Sequence, residues 1–406
     1  MANSPTPLWT SINGTSKQDY VWSTAAGPDG SIYICGYTEA SLDGQAFSGR
    51  TDAFVTKFNP DGVKEWTRII GSSGYEEAKS ISISSDGSVY VAGITGSYSS
   101  ESIGPLDGQA NSGGGADGFL AKFDASGNKI WTKLIGSSAW DDSQAVIVFG
   151  QTIFVTGNTS GSINGQSTIG QRDGYLAKFD PSGTLINVTT FGSTYSDEVR
   201  SIAAGPDGSI YVVGRTEGWF DGQGNEGGYD SFLTKFNPAG TKQWTRLLGT
   251  SKSDLGHAVG VAQDGSVYIG GETEGNLGGQ QNFGFDAFTA KYSTDGTLIW
   301  VKLISSAGYG YDSLTSIAID RNGIVYSGGI TSGDLGGQAN HSPGDYDGFI
   351  VSQDSSGSTL WSLLIGTSSQ DQVKGLVALT DGAIIVSGVT GGSLNGQVNF
   401  SNAESL

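Results

Sequence analysis

Residues 201–249 read SIAAGPDGSIYVVGRTEGWFDGQGNEGGYDSFLTKFNPAGTKQWTRLLG, and this stretch decides the fold. It holds two pairs of short runs rich in Val, Ile, Tyr, Phe, Thr and Trp, the residue types that favour strands. Each pair surrounds a glycine turn, Asp207-Gly208 in the first and Ala239-Gly240 in the second. Because Gly tolerates positive φ, such turns between apolar runs predict β-hairpins. The stretch therefore predicts four antiparallel strands, a to d, with a long loop between b and c.

The same unit recurs along the chain of 406 residues. A G-x-T triplet ends strand b, and a Trp in strand d keeps the same step in most units. A Gly-Gln dipeptide returns in every b–c loop, with its glutamine at Gln45, Gln109, Gln166, Gln223, Gln280, Gln338 and Gln397. Four-stranded units repeated radially are typical of β-propellers. We therefore expect an all-β, seven-bladed β-propeller that forms a single domain over residues 1–406.

The two ends of the chain complete one blade in this prediction. Residues 8–12, LWTSI, match strand d, and residues 373–390 match strands a and b. The N-terminal strand d would therefore close the seventh blade, whose strand c is not evident because its expected start falls on Ala403. Either this blade lacks strand c, or the sequence is part of a longer natural protein. A missing strand would expose strand edges and favour self-association.

Composition excludes several functional classes. One Cys and two His leave no Cys-rich or multi-His metal centre. A net charge of −19 argues against nucleic-acid binding, which needs a basic surface. No apolar run is long enough for a membrane-spanning helix, and the start MANSPTPLWT shows no secretory signal peptide.

Two acidic sets recur on the side of the long loops. The first follows strand d by about five residues and comprises Asp19, Glu76, Asp141, Asp197, Asp254, Asp312 and Asp371. The second opens strand c and comprises Asp52, Asp117, Asp173, Asp230, Asp286 and Asp347. Asp readily accepts hydrogen bonds from backbone N–H groups in turns, so a structural role in every blade is one interpretation. Display on an acidic binding face is the other.

Calcium and carbohydrate are the ligands that these loops suggest. Carboxylates from neighbouring loops can supply the several oxygens that Ca²⁺ needs, and the best local groups are Asp345 with Asp347 and Asp141 with Asp142. The seven Gly-Gln amides and nearby aromatics such as Trp219 could bind sugars, or the glutamines could simply hydrogen-bond their own loops. Cys35 is predicted to be a small buried residue of its strand, and the strand-d tryptophans are predicted to pack between blades.

The repeat resembles the SBBP family of seven-bladed β-propeller repeats, whose core reads D-[AG]-F-x-x-K-[FY]-x-x-x-G-x-x-x-W-[ST]. Residues 52–67 match this pattern, and residues 230–245 match it apart from Ser231 in place of Ala or Gly. The resemblance covers almost the whole chain and implies a segment of a large secreted or surface bacterial protein, often cyanobacterial, exported without an N-terminal signal peptide. A cytoplasmic location stays open. The family supplies no catalytic residues.

We expect a non-catalytic binding or scaffold module that presents an acidic long-loop face to a protein or glycan. The alternative is a calcium-dependent carbohydrate-binding lectin. A glycosidase or lyase is the third hypothesis, because two carboxylates suffice for glycoside hydrolysis. No pair of carboxylates stands out from the repeated background, so no catalytic residues are predicted and no cofactor is required.

Overall fold

The computed structural model describes residues 5–96, 104–308, 310–342, 344–399 and 404–405. The chain forms two compact units, Asn13–Val199 (the first unit) and Met1–Ile12 with Arg200–Leu406 (the second unit). Apart from one short 3₁₀ helix, Leu277–Gly279, every regular element in the described residues is a β-strand. None of these elements is a helix long and apolar enough to cross a bilayer.

Three four-stranded antiparallel sheets make up the first unit, and in each the strands lie in chain order. The first sheet contains β1 (Asp19–Ala26), β2 (Ile32–Thr38), β3 (Asp52–Phe58) and β4 (Lys64–Ile70). The second contains β5 (Tyr75–Ile83), β6 (Val89–Gly96), β7 (Ala116–Phe123) and β8 (Lys129–Ile135). The third contains β9 (Asp141–Phe149), β10 (Thr152–Thr159), β11 (Asp173–Phe179) and β12 (Leu185–Phe191).

The remaining sheets follow the same order, and all but the first three residues of β13 belong to the second unit. The fourth sheet contains β13 (Asp197–Ala204), β14 (Ile210–Thr216), β15 (Asp230–Phe236) and β16 (Lys242–Leu248). The fifth contains β17 (Asp254–Val261), β18 (Val267–Thr273), β19 (Gly284–Tyr292) and β20 (Leu298–Ile304). The sixth contains β21 (Gly310–Ile319), β22 (Val325–Thr331), β23 (Asp347–Gln353) and β24 (Thr359–Ile365). A two-residue parallel pairing of β19 with β21 joins the fifth and sixth into one eight-stranded sheet. The seventh contains β25 (Asp371–Ala378), β26 (Ile384–Thr390) and the two-residue β27 (Glu404–Ser405).

Within each unit, consecutive sheets pack face to face, and their apolar side chains form the core. In the first unit, Tyr33 and Val55 of one sheet share a cluster with Val91 and Phe119 of the next. In the second unit, Val213 and Leu233 share a cluster with residues of the fifth sheet. Neither face of a sheet is polar enough to stand alone in water, so stacking of repeats supplies the burial that each one needs.

The strand-d tryptophans pack as predicted. Trp66 lies 5.9 Å from the Tyr33 ring, and the c–d turn of the next sheet approaches its other side at Gly127. Arg68 holds that turn in place, since its Nε donates to the carbonyl of Gly127 at 2.7 Å. Cys35 is fully buried, also as predicted.

The seventh sheet corrects two sequence-based expectations. The start of its strand c is described: Glu404 pairs with Thr390 in the register that Asp occupies in the other sheets, one residue beyond the predicted Ala403, which lies outside the described residues. Residues 8–12 do not form a strand. A strand d needs strand c as its ladder partner, and only Glu404–Ser405 of this strand c are described. Thr10 nevertheless keeps a strand-d contact, because its hydroxyl accepts a hydrogen bond from Asn395 at 3.0 Å.

A β-bulge interrupts strand a at the same place in the six sheets whose a–b register is described. In β17 the register with β18 slips between Gly256 and Ala258, so His257 has no residue opposite it. The bulge pushes the carbonyl of Leu255 toward Gly271 of strand b, where any Cβ would overlap that oxygen. This overlap is the physical reason for the glycine of the repeated G-x-T triplet.

Replacing Gly271 with Ala should therefore destabilise the fold by about 1–3 kcal/mol, the usual cost of overpacking a filled interior. Thermal unfolding followed by circular dichroism measures the effect. Gly224→Ala in the same unit is the matched control, because a Cβ there meets nothing closer than 3.7 Å. Equal melting temperatures for the two variants would contradict this account of the repeated glycine.

Candidate binding surface at the loop ends of the strands

Each sheet has a turn end, with the tight a–b and c–d turns, and a loop end, with the b–c loop and the d–a connection. The loop end is where strands a and c begin and strands b and d finish. Binding residues on rigid scaffolds usually lie on long loops, so the loop end is the candidate surface. The predicted site residues all lie at this end.

The first acidic set is buried at the start of strand a, with at most 1 % of each residue exposed. Asp254 is typical. It accepts hydrogen bonds from the backbone N–H of Thr250 at 2.6 Å and the hydroxyl of Thr250 at 2.8 Å. Its other oxygen accepts the hydroxyl of Thr273, the threonine of the G-x-T triplet, at 2.5 Å. These carboxylates therefore hold the d–a connection to strand b.

The second acidic set is equally buried and holds the b–c loop. Ser48 donates its N–H to Asp52 at 2.7 Å, Ser112 donates to Asp117 at 2.7 Å, and Glu226 donates to Asp230 at 3.0 Å. The glycine that follows strand d is required here, because a Cβ on Gly249 would overlap the carboxylate of Asp230. The structural interpretation of both sets thus accounts for their contacts, and their role in ligand binding stays a prediction.

Burial makes these carboxyl groups weaker acids than usual, because it raises their pKa. Burial raises the pKa of both Asp117 and Asp230 to about 6, and hydrogen bonds from the loop only partly oppose the rise. The neighbouring carboxylate of the next strand a adds to it, Asp141 in the first case and Asp254 in the second. Burial also raises the pKa of Asp52, Glu76, Asp141, Asp173, Asp254, Asp286, Asp312 and Asp371.

A raised pKa makes the folded chain bind protons more tightly than the unfolded chain. The stability that Asp230 contributes is therefore fully present below about pH 4 and is lost as the pH rises through about 6. Asp230→Asn keeps an oxygen acceptor for the N–H of Glu226 but cannot ionise. We expect this variant to gain stability relative to the parent between pH 4.5 and 7.5, by on the order of 2 kcal/mol.

Thermal melts across that pH range measure the difference. Asp207→Asn is the matched control, because Asp207 lies in an exposed a–b turn, where the hydrogen bonds from Ser209 and the charge of Lys235 outweigh burial and lower its pKa. The control should keep the pH slope of the parent above pH 4.5. A parental slope in Asp230→Asn would contradict the raised pKa.

The Gly-Gln glutamines sit at the ends of tight turns within the b–c loops. Residues 106–109, Leu-Asp-Gly-Gln, form a tight turn in which Leu106 and Gln109 exchange both backbone hydrogen bonds. Asp107 and Gly108 at its centre have φ of 48° and 78°. This pair of positive φ values explains the repeated Asp-Gly or Asn-Gly, since few other residues adopt them.

The glutamine amide binds the outer edge of strand d. The amide nitrogen of Gln223 donates to the carbonyl of Thr245 at 2.7 Å, and its oxygen accepts the N–H of Leu247 at 3.3 Å. Gln109, Gln280 and Gln338 make the same pair of contacts. Both halves of these amides are engaged with the backbone, and they cover an edge that is otherwise open.

The aspartate of the same turn is matched to strand d. Asp221 lies 2.6 Å from the ammonium of Lys242, and Asp43 and Asp107 make the same ion pair with Lys64 and Lys129. Where Gly or Asn replaces this Asp, at Asn164, Gly278 and Gly336, strand d opens with Leu185, Leu298 and Thr359 instead of Lys. The aspartate of the turn and the lysine that opens strand d are thus either both present or both absent in these six sheets.

The loop end exposes less negative charge than its number of Asp and Glu residues predicts. Thirteen of its carboxylates belong to the two repeated sets and are buried. Three more are paired with the lysines of strand d. Exposed acids there include Glu39, Glu217, Glu226 and Asp334.

Each of the suggested calcium ligands makes hydrogen bonds to other partners within the loops. Asp347 is buried and accepts the backbone N–H of His341 at 2.7 Å, while Asp345 accepts the N–H of Tyr346 at 2.9 Å. Asp141 points to its d–a connection, and the adjacent Asp142 binds other partners described below. Among the residues that the structure describes, no three His, Cys, Asp or Glu side chains are arranged to hold a metal ion.

Residues that differ from blade to blade form the distinctive clusters of the loop end. In the first unit, Asp142 is buried and accepts hydrogen bonds from Asn158 at 2.9 Å and Arg172 at 3.1 Å. Arg172 also pairs with Glu198 at 2.8 Å, and its guanidinium lies 4.5 Å from the ring of Trp140. The cluster combines a fixed cation with an aromatic face.

The bulge residues of the first unit form a second cluster. The ammonium of Lys79 lies 3.9 Å from the ring centre of Trp22 and 2.5 Å from Glu77. Lys79 and Trp22 occupy the bulge position of adjacent strands a. Bulges often re-aim a side chain beside a functional site.

The second unit carries a comparable cluster around Glu272. Tyr311 donates its hydroxyl to this carboxylate at 2.6 Å, and the bulge residue His257 lies 3.8 Å away. Burial alone would raise the pKa of Glu272, but hydrogen bonds from His257 and its neighbours outweigh it and lower the pKa. The rings of Phe285 and Tyr346 flank Tyr311 at 5.3 and 5.7 Å.

Trp219 is the most exposed aromatic residue of the described loops. It is 72 % exposed and stands directly before the Phe220–Gln223 turn, whose Phe220 is buried. Sequence reasoning selected Trp219 but missed the bulge residues. Their only signal was the repeated glycine of the G-x-T triplet, which marks the opposite strand.

No protein-family model matches the chain. The chain is 27% identical over 246 residues to the regulatory protein FlaEY of Caulobacter vibrioides, which covers 55% of this chain and 25% of that protein. It is 21% identical over 358 residues to an uncharacterised WD repeat-containing protein of Acanthamoeba polyphaga mimivirus, which covers 68% of this chain and 25% of that protein. The chain therefore spans about a quarter of the length of these relatives.

Two solved structures share the architecture. The WD40 domain of Neurospora crassa Pan2 aligns with a TM-score of 0.53 at 10% identity and covers 90% of this chain and 85% of that one. The WD40 β-propeller domain of Doa1 aligns with a TM-score of 0.50 at 9% identity and covers 97% and 95%. At such low identity the likeness shows the fold alone, and the chain is therefore a repeat protein of the β-propeller kind.

Proposed function

We propose that this chain is a non-catalytic scaffold that binds another protein through the loop ends of its blades. One observation carries the proposal: the repeated carboxylates and the glutamine amides of four blades are engaged in hydrogen bonds within the chain, while the residues that vary between blades at the same end include aromatic and charged side chains. A repeated residue maintains the fold of each blade. A residue that differs between blades at the same structural position gives each loop end its own surface.

The chemistry of the loop end suits a protein partner better than a glycan. The glutamine amides that a lectin would use on sugar hydroxyls are bonded to strand d in four blades. The exposed Trp219 and the cation–aromatic pairs are of the types enriched in the hot spots of protein interfaces. The fold likeness to WD40 domains agrees with a binding role, as does the name of the regulatory relative.

Three finer features belong to the same proposal. We propose seven blades, with residues 8–12 beside the seventh sheet, supported by the hydrogen bond between Asn395 and Thr10. An acidic binding face would depend on exposed acids such as Glu217 and Glu226. The location on or outside a bacterial cell comes from the SBBP resemblance alone.

The test is a comparison of two variants in partner capture. The full chain, Trp219→Ala and Ile299→Ala are each cross-linked in extract of the source cells, and captured proteins are quantified by mass spectrometry. Ile299 is the control because it is exposed (52 %) but lies in strand d. We expect at least one protein to be captured equally by the parent and Ile299→Ala, and about tenfold less by Trp219→Ala, since interface tryptophans often contribute 1.4 kcal/mol or more.

Both substituted side chains are exposed, so neither variant should lose thermal stability, and a melt checks this. A set of captured proteins that is the same for all three forms would contradict binding through this loop end.

A further inference from the structure

One buried carboxylate of the second unit has no basic partner. Glu272 is 5 % exposed and lies at the loop end of β18, opposite Leu255 of β17 and Ala287 of β19. The Tyr311 hydroxyl donates to it at 2.6 Å, and Nε2 of His257 lies 3.8 Å away. Among the described residues, no lysine or arginine forms an ion pair with this carboxylate. Buried charges in proteins are normally paired, so Glu272 is an exception that needs a reason.

The first unit shows how the same end of a sheet pairs a buried carboxylate. Asp142 is 1 % exposed and lies 3.1 Å from the guanidinium of Arg172. Arg172 directly precedes the strand-c aspartate of its sheet, and Phe285 has the same position in the fifth sheet. An aromatic ring therefore stands where the third sheet supplies the cation. The fifth sheet keeps a buried carboxylate without supplying a basic side chain from this position.

Hydrogen bonds keep Glu272 ionised. Burial opposes ionisation, but hydrogen bonds from His257, Ser313 and Tyr311, together with the charge of His257 when it is protonated, outweigh burial and lower the pKa of Glu272. Burial and the negative charge of Glu272 raise the pKa of Tyr311, so its hydroxyl keeps its proton and remains a donor. The hydroxyl donors carry no charge, and histidine is cationic only when protonated. Glu272 is thus an anion with no permanent cation beside it in the described part of the chain.

Aromatic rings lie beside this carboxylate. By register, Phe285 of β19 shares a face of the fifth sheet with Glu272. The Phe285 ring lies 5.3 Å from the Tyr311 ring, and the Tyr346 ring lies 5.7 Å from it. All three rings are partly exposed, so the cluster reaches the surface of the loop end. Aromatic faces attract cations, and the planar guanidinium of arginine both stacks on such rings and pairs with carboxylates.

We propose that Glu272 and the rings of Phe285, Tyr311 and Tyr346 form a subsite for an arginine side chain of a partner protein. The inference rests on the proposed loop-end function and adds the chemistry of the partner. The carboxylate would supply the anion of the ion pair, and the rings would contact the guanidinium. A neutral side chain would leave the buried anion without a cation, so the subsite selects its occupant by charge.

Fluorescence anisotropy tests the subsite with the full chain and a labelled peptide of four Gly-Arg repeats. The salt concentration is about 0.15 M, which screens distant exposed charges. A matched peptide carries citrulline, which has nearly the shape of arginine but no charge. We expect Glu272→Gln to bind the arginine peptide about tenfold more weakly than the parent, because loss of one partner from a buried charge pair is costly. The citrulline peptide should not distinguish the two proteins.

Asp264→Asn is the matched control. It removes the same charge from the exposed a–b turn, at the opposite end of the same sheet, and should bind the arginine peptide as the parent does. Phe285→Leu keeps the carboxylate and removes one ring, and we expect about threefold weaker binding. Thermal melts check that each variant folds, and the glutamine of Glu272→Gln still offers an acceptor to the Tyr311 hydroxyl.

Two results would overturn the subsite. One is equal binding of the arginine peptide by the parent and by both Glu272→Gln and Phe285→Leu. The other is an equal loss in Asp264→Asn, which would show attraction to the overall negative charge. Partner capture separates this inference from the proposed function. Proteins lost with Trp219→Ala but kept with Glu272→Gln would support loop-end binding and reject the arginine subsite, whereas capture unchanged by Trp219→Ala would contradict the proposed function itself.

Discussion

Every blade depends on buried carboxylates that accept the backbone N–H groups of its loop end. Where strands finish, backbone donors lose their ladder partners, and a buried donor without an acceptor is costly. Asp230 satisfies the b–c loop and Asp254 satisfies the d–a connection beside it. The negative charge of Asp254 adds to the effect of burial and raises the pKa of Asp230, and the blade tolerates this because the hydrogen bonds fix both loops. The glycine after strand d follows from the same constraint, since only a residue without Cβ leaves room for the carboxylate.

The bulge in strand a separates residues that maintain the fold from residues that vary between blades. The glycine of strand b accommodates the bulged carbonyl, and the bulge frees one side chain per blade from the ladder. That side chain is Trp22, Lys79 or His257 in different blades, so the position is constant and the chemistry is not. The fold thus keeps its hydrogen-bonding residues uniform while the residues available to a partner diversify. A scaffold that evolves new partners without loss of stability needs this separation.

The outer edges of the sheets are covered by the loops of their own blades. The outer edge of strand d binds the glutamine amide and packs beside the Asp-Gly turn of its own b–c loop, with a lysine added where the turn carries Asp. Covered edges keep blades from pairing with foreign strands.

The sequence by itself determined the four-stranded unit, its repetition, the burial of Cys35, the packing role of the strand-d tryptophans, and the location of the two repeated acidic sets at the loop end. These follow from local rules: residue types that favour strands, glycines in turns, and a period that only stacked units satisfy. Only the tertiary structure decided what the repeated residues do, because burial and hydrogen-bond partners depend on segments far apart in the chain. Gln223 meets Thr245 of strand d 22 residues later in the chain, and the carboxylate of Asp254 acts on Asp230 of the preceding sheet. Sequence patterns specify which side chains repeat, but the distances between strands decide which of them remain available to a partner.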